Sequence, residues 1–172
     1  MYKSLAIQNE KEKFQSKLLR KEYGWMHKGK LPGNTKCSLG VDPGVNFGIC
    51  FITGEDIYAM YGSLLQQTHH IEYANVAFEL LTNLVWTNEQ TDPVYVIEGP
   101  AFNKTFGQVN LAEVRTGFYL SLRHLGEIHT PPPMTVRKAV FGSGTIQPMD
   151  IWPLLNHNCA DALSLALYGL YQ

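Results

Sequence analysis

No apolar run in this chain of 172 residues approaches the ~20 consecutive residues that a membrane-spanning helix needs. The N-terminus, MYKSLAIQNEKEK, carries charges where a secretory leader would have its apolar core. An intracellular protein is therefore expected. Cysteine is scarce: Cys37, Cys50 and Cys159 are odd in number and show no C-x-x-C spacing, so neither a disulfide framework nor a zinc knuckle is supported. They are expected to be reduced and mostly buried. The triplet Asn103-Lys104-Thr105 matches a glycosylation acceptor in pattern alone, because no secretory route is visible. Low-complexity tracts are missing as well. A chain 45% hydrophobic and only 17% charged has the balance of a folded globular protein, not a disordered one.

A single core is the default expectation at this length. The net charge of -1 conceals a division: residues 1 to 36 hold nine Lys and Arg against three Glu, and the remainder holds five against twelve acids. A basic arm on an acidic body suits nucleic-acid binding by the arm, and a solvated charged helix explains it as cheaply. The arm is expected to form a helix around residues 5 to 22, followed by the Gly, Pro and Asn of the linker KGKLPGNTK. This gives a basic N-terminal helical arm and linker over residues 1 to 36 and one folded domain over 37 to 172.

From Cys37 the pattern turns to short β-rich runs, CSLGVD, GICFIT and IYAMYG, separated by Pro-Gly and Gly-Glu-Asp breaks. The segment HIEYANVAFELLTNLVWTNE then spaces Ile71, Ala74, Ala77, Phe78 and Leu81 as an amphipathic helix does. VYVIE, apolar until its last residue, suits a strand buried on both faces. A second helix is expected from about 107 to 125, then a short extended piece at GEIHT, a short helix around 134 to 140 and a final helix from about 158 to 171. The order βββ-α-β-α-β-α-α implies an α/β fold with a mixed five-stranded sheet flanked by helices.

Two carboxylates close predicted strands: Asp42 ends an apolar strand just before the Pro43-Gly44 turn, and Glu98 ends VYVIE. A carboxylate placed there is costly to desolvate unless a cation or hydrogen-bond donors await it. Asp161 supplies a third acid on an otherwise strongly apolar helix, and His157 and Asn158 lie four and three residues before it, on the same helical face. Together they favour a metal centre.

An Asp-Pro-Gly on the first strand, an apolar strand ending in Glu and a last helix bearing Ala160-Asp161-Ala162-Leu163 resemble the RuvC Holliday-junction resolvases of the RNase H-like superfamily. The match runs from about Cys37 to the C-terminus. Each motif is weak alone, and their shared order and strand context make the combination specific. The resemblance implies an RNase H-like fold and two divalent cations, Mg²⁺ or Mn²⁺, held by Asp42, Glu98, Asp161 and a fourth ligand. It further implies a homodimer that hydrolyses phosphodiesters of branched, four-way DNA, leaving nicks with a 5′ phosphate. Its setting would be the bacterial cytoplasm, or the host cytoplasm for a viral protein.

The fourth family position, usually Asp or His, is Asn158 here, and a neutral amide brings no charge to a hard cation. Three explanations stand: a deliberate Asp-to-Asn change that traps substrate, which is preferred; His157 serving in its place; or decay of activity. By the same resemblance Phe102, Lys104 and Phe106, after Glu98, are candidate junction contacts, their aromatic and cationic mixture suiting bases and phosphate. Arg137 and Lys138 resemble a basic helix start that touches the DNA backbone, and Arg115 and Gly117 a position near the dimer interface. The stretch from Gly142 to Asp161 is shorter than the family pattern, so a helix there is expected to be trimmed or absent. His69, His70, His124 and His129, and Trp25, Trp86 and Trp152, are assigned to surface or packing roles. Two other readings compete: a non-catalytic nucleic-acid-binding protein with a degenerate site, and an actin-like ATPase using Asp42-Pro43-Gly44 as a phosphate loop. The latter lacks the second domain and second phosphate loop it would need.

Overall fold

The computed structural model describes residues 10–15, 37–53, 56–64, 69–85, 93–100 and 108–172. Its strands are β1 (Glu10–Gln15), β2 (Cys37–Asp42), β3 (Asn46–Thr53), β4 (Asp56–Ser63), β5 (Val94–Ile97) and β6 (Ile128–His129). Its helices are α1 (His70–Val85), α2 (Gln108–Leu122), α3 (Pro133–Phe141), α4 (Pro148–Ile151) and α5 (His157–Gly169). One mixed sheet runs β1-β4-β3-β2-β5-β6. Strands β2, β3 and β4 form the expected antiparallel meander, and β5 and β6 add in parallel after helical crossovers. The five-stranded mixed sheet is thus present, with β1 added at one edge.

Side-chain alternation along β2 explains how the helices are divided between the two faces. Leu39 and Val41 join Phe47, Ile49, Tyr95 and Ile97 in a core closed by α1 and α2 through Ala77, Leu81, Val114, Phe118 and Leu122. Phe47 and Phe118 meet edge-on, their ring centroids 6.0 Å apart. Ser38 and Gly40 face the other way, towards α5. A Cβ at Gly40 would overlap the backbone of Ala162 and Ala166, and one at Gly169 would overlap Ser38, so small residues let the helix lie directly on the strands. Leu163, Leu165, Ala166, Leu167 and Leu170 are buried as expected, and α3 and α4 cover them with Val136, Val140, Phe141 and Trp152. Each such leucine contributes about 1.5–3 kcal/mol by burial, which fixes α5 as the central helix of that layer.

One expectation changes. The helix expected around residues 5 to 22 is replaced, over Glu10–Gln15, by a strand paired antiparallel with β4, Glu10 opposite Tyr61 and Gln15 opposite Asp56. Strand preference depends on context, and the unpaired edge of β4 offers backbone partners that local sequence does not reveal. The rest of that arm and the linker lie outside the described residues. The compact stretch after Gly142 holds a single helical turn, α4, with Pro148 in its first turn, as a trimmed helix would. Gly142 ends α3 in the left-handed conformation, φ 80°, and donates its N–H to Lys138 O. All three cysteines are free and buried. Trp152 packs edge-on against Phe141 at 5.4 Å. Trp25 and Trp86 lie outside the described residues.

Candidate metal centre

The parallel pairing of β2 and β5 brings the first two acids together. Val41 is paired with Ile97, and the Glu98 N–H donates to Val41 O at 3.0 Å, so Asp42 and Glu98 leave adjacent strand ends. The third acid comes from α5, whose start is pressed onto β3 at Gly48, the residue opposite Asp42; a Cβ on Gly48 would overlap the Asn158 backbone. Asn156 caps the helix, its Oδ1 accepting from the Asn158 N–H at 2.9 Å. That close seating carries His157 and Asp161 over the strand end. Asp42, His157 and Asp161 each offer one ligand atom, and the three atoms lie within 4.8 Å of one another.

The cluster is electrostatically strained. Burial, then the neighbouring charges of Glu98 and Asp161, hold the Asp42 carboxyl well above the usual aspartate range, while Arg137 opposes the shift. Arg137 reaches the centre from α3, its Nη2 3.9 Å from Asp161 Oδ1. His157 Nε2 stands 3.4 Å from Asp161 Oδ2, and its Nδ1 is 3.1 Å from Asn158 Oδ1. On the opposite layer, Arg115 donates from Nε to the Glu98 carbonyl at 2.8 Å, and half-burial lowers its own pKa. It thereby ties α2 to the turn that bears the second acid.

Three predicted acids, His157 and Asn158 therefore share one region, with Glu98 felt through its charge but outside the three-residue ligand group. The basic pair divides: Arg137 faces the acids, and Lys138 is exposed on α3. Phe102, Lys104 and Phe106 lie outside the described residues. Gly117 sits at the α1–α2 crossing, where a Cβ would overlap Ala74. His69 and His124 are exposed and His129 is partly buried, near Glu127, in keeping with their expected roles. Sequence reasoning missed the Asn156 cap, although an Asn just before an apolar helix is its ordinary signal. It also read Arg137 only as a DNA-backbone contact.

The sheet order and the two helical layers define an RNase H-like α/β fold. Among solved structures the chain is similar to Thermus thermophilus RuvC, with a TM-score of 0.61 and 16% identity, over 78% of this chain and 94% of that one. It is similar to T. thermophilus RuvC in complex with a Holliday junction substrate (TM-score 0.59, 15% identity, 79% and 94% covered). It also resembles the yeast mitochondrial Holliday junction resolvase Ydc2 (TM-score 0.56, 12% identity, 90% and 83% covered). At these identities the likeness is one of fold. No protein-family model and no curated protein matches the chain.

Proposed function

We propose that this protein is a metal-dependent endonuclease that resolves four-way DNA junctions. The observation that carries the reading is the convergence of Asp42, Asp161 and His157, with Glu98 on the adjacent strand end, in a fold shared with RuvC and Ydc2. Buried carboxylates that repel one another gain most from a cation, and an oxygen-rich set with one imidazole suits Mg²⁺ or Mn²⁺. Asp42, Glu98, Asp161 and His157 would hold two such ions. When bound, the ions supply an activated water and charge stabilisation at the leaving 3′ oxygen.

Asn158 takes a supporting part. With its Oδ1 accepting from His157 Nδ1–H, the lone pair of His157 lies on Nε2, the nitrogen that faces Asp161. This favours His157 in the fourth ligand position over a trapping substitution at Asn158. Arg137 sets a guanidinium beside the acids, placed to receive a phosphate oxygen. Lys138, Arg115, the Phe102-Lys104-Phe106 loop and the basic arm are assigned to DNA binding. Two large apolar side chains left exposed on α1 and α2, Phe78 and Tyr119, support a homodimer. Among the described residues no helix is long and apolar enough to cross a membrane. The division at residue 36 and a cytoplasmic setting belong to the same reading.

Incubation with a synthetic four-way junction and Mg²⁺ tests the proposal. Paired nicks across the crossover are expected, with Asp161→Asn binding the junction but not cutting it. If neither the wild type nor Asn158→Asp ever nicks a junction it binds, the non-catalytic reading replaces this one.

A further inference from the structure

The peptide groups on either side of the Glu98 Cα are both fixed. In the first, the Glu98 N–H donates to Val41 O at 3.0 Å. In the second, the Gly99 N–H donates to Pro131 O at 2.8 Å while the Glu98 carbonyl accepts from Arg115 Nε, also at 2.8 Å. Strand β2, helix α2 and the segment after β6 thus meet on one residue. Gly99 permits the approach of that segment, since a Cβ there would overlap the Thr130 carbonyl. Of the three bonds, only the one from α2 is made by a side chain.

Arg115 is itself held in place. Val114 before it and Phe118 three residues on are fully buried in the core that α1 and α2 close, and Gly117 draws α2 against α1 at Ala74. The root of the arginine is therefore fixed. Half-burying a guanidinium is costly, and the cost is offset where an acceptor and an opposite charge await it. Here the Glu98 carbonyl is the acceptor, and the Glu98 charge favours the ionised arginine against the effect of burial. Both come from the acid that stands outside the Asp42, His157 and Asp161 ligand group.

We propose that Arg115 is a positioning residue for the second cation: by fixing the peptide group at Glu98 it sets the direction of the carboxylate on which that ion depends. The first ion is left to Asp42, Asp161 and His157. The inference rests on the metal-centre reading above and divides its two ions by the residues that support them. It goes beyond the DNA contact assigned to Arg115, because it acts in the protein without DNA. The guanidinium is also a cation, and by repulsion alone its removal would tighten the neighbouring ion. Positioning and repulsion have opposite signs, which makes the role measurable.

Calorimetric titration of the full-length protein with Mn²⁺ at neutral pH, without DNA, provides the test. Arg115→Gln should weaken the second binding step about tenfold and leave the first unchanged. Gly142→Ala, which destabilises the end of α3 instead, should shift neither step, so that a merely structural loss is told apart from this one. Should Arg115→Gln not fold, Arg115→Lys, which keeps the charge without the planar fork, should show the same selective loss. Equal weakening of both steps overturns the proposal, as do wild-type affinities for both ions, tighter binding of the second, or a wild type with one binding step only. A wild type that takes up no Mn²⁺ would instead remove the metal-centre reading, and this inference with it.

Discussion

At Asp42 a single proton reports the state of the whole centre. Its folded pKa lies above the ordinary value, raised by burial and by Glu98 and Asp161, so the metal-free fold favours the protonated form. That contribution is fully present below the usual aspartate pKa of about 3.9 and is lost as pH rises through the folded value. In EDTA the melting temperature should therefore fall as pH is raised from about 4 towards neutrality. Asp42→Asn should flatten that fall and melt higher than the wild type at neutral pH; an unchanged profile would show that Asp42 is not the strained group. His157 allows a second test. His157→Ala should remove a ligand outright, whereas Asn158→Ala should weaken Mn²⁺ affinity about 10–100-fold through loss of ring orientation. Equal affinity in His157→Ala and wild type would return the fourth ligand position to Asn158.

The element that assembles the centre is α5, and its seat depends on glycine. Gly48→Ala should cost about 1–3 kcal/mol and weaken metal binding, because the new methyl group pushes the Asn158 backbone off β3. Gly142→Ala should also lower the melting temperature, through its left-handed φ, yet leave metal affinity alone. Chemical denaturation paired with Mn²⁺ titration separates the two. The strand ends at Asp42 and Glu98 and the apolar helix around Asp161 were legible in sequence because an acid after an unbroken apolar run is a rare, local signal. The partners that come from elsewhere were not. Arg137 turns inward and Lys138 outward for reasons set by how α3 packs on α5. A groove at Asn46, Tyr61 and Asn156 exists only through β3–β4 register and the helix start. Strand β1 was misread for a similar reason, since its pairing is decided by the open edge of β4 and not by its own residues.

For the whole molecule, the basic arm has two separable effects. Its Glu10–Gln15 strand adds to the sheet edge, and under the proposed function its surplus of positive charge would serve DNA phosphates. Removing residues 1 to 34 should lower the melting temperature by exposing β4, and should flatten the dependence of junction affinity on salt as phosphate contacts disappear. A truncated chain with the wild-type salt slope would confine the arm to a structural part. Under the proposed function, acids distant in sequence fold together to hold divalent cations, and calorimetric titration of Mn²⁺ at neutral pH measures this. Saturable binding is expected for the wild type and none for Asp42→Asn, whereas indistinguishable heats from the two proteins would mean that these acids hold no cation.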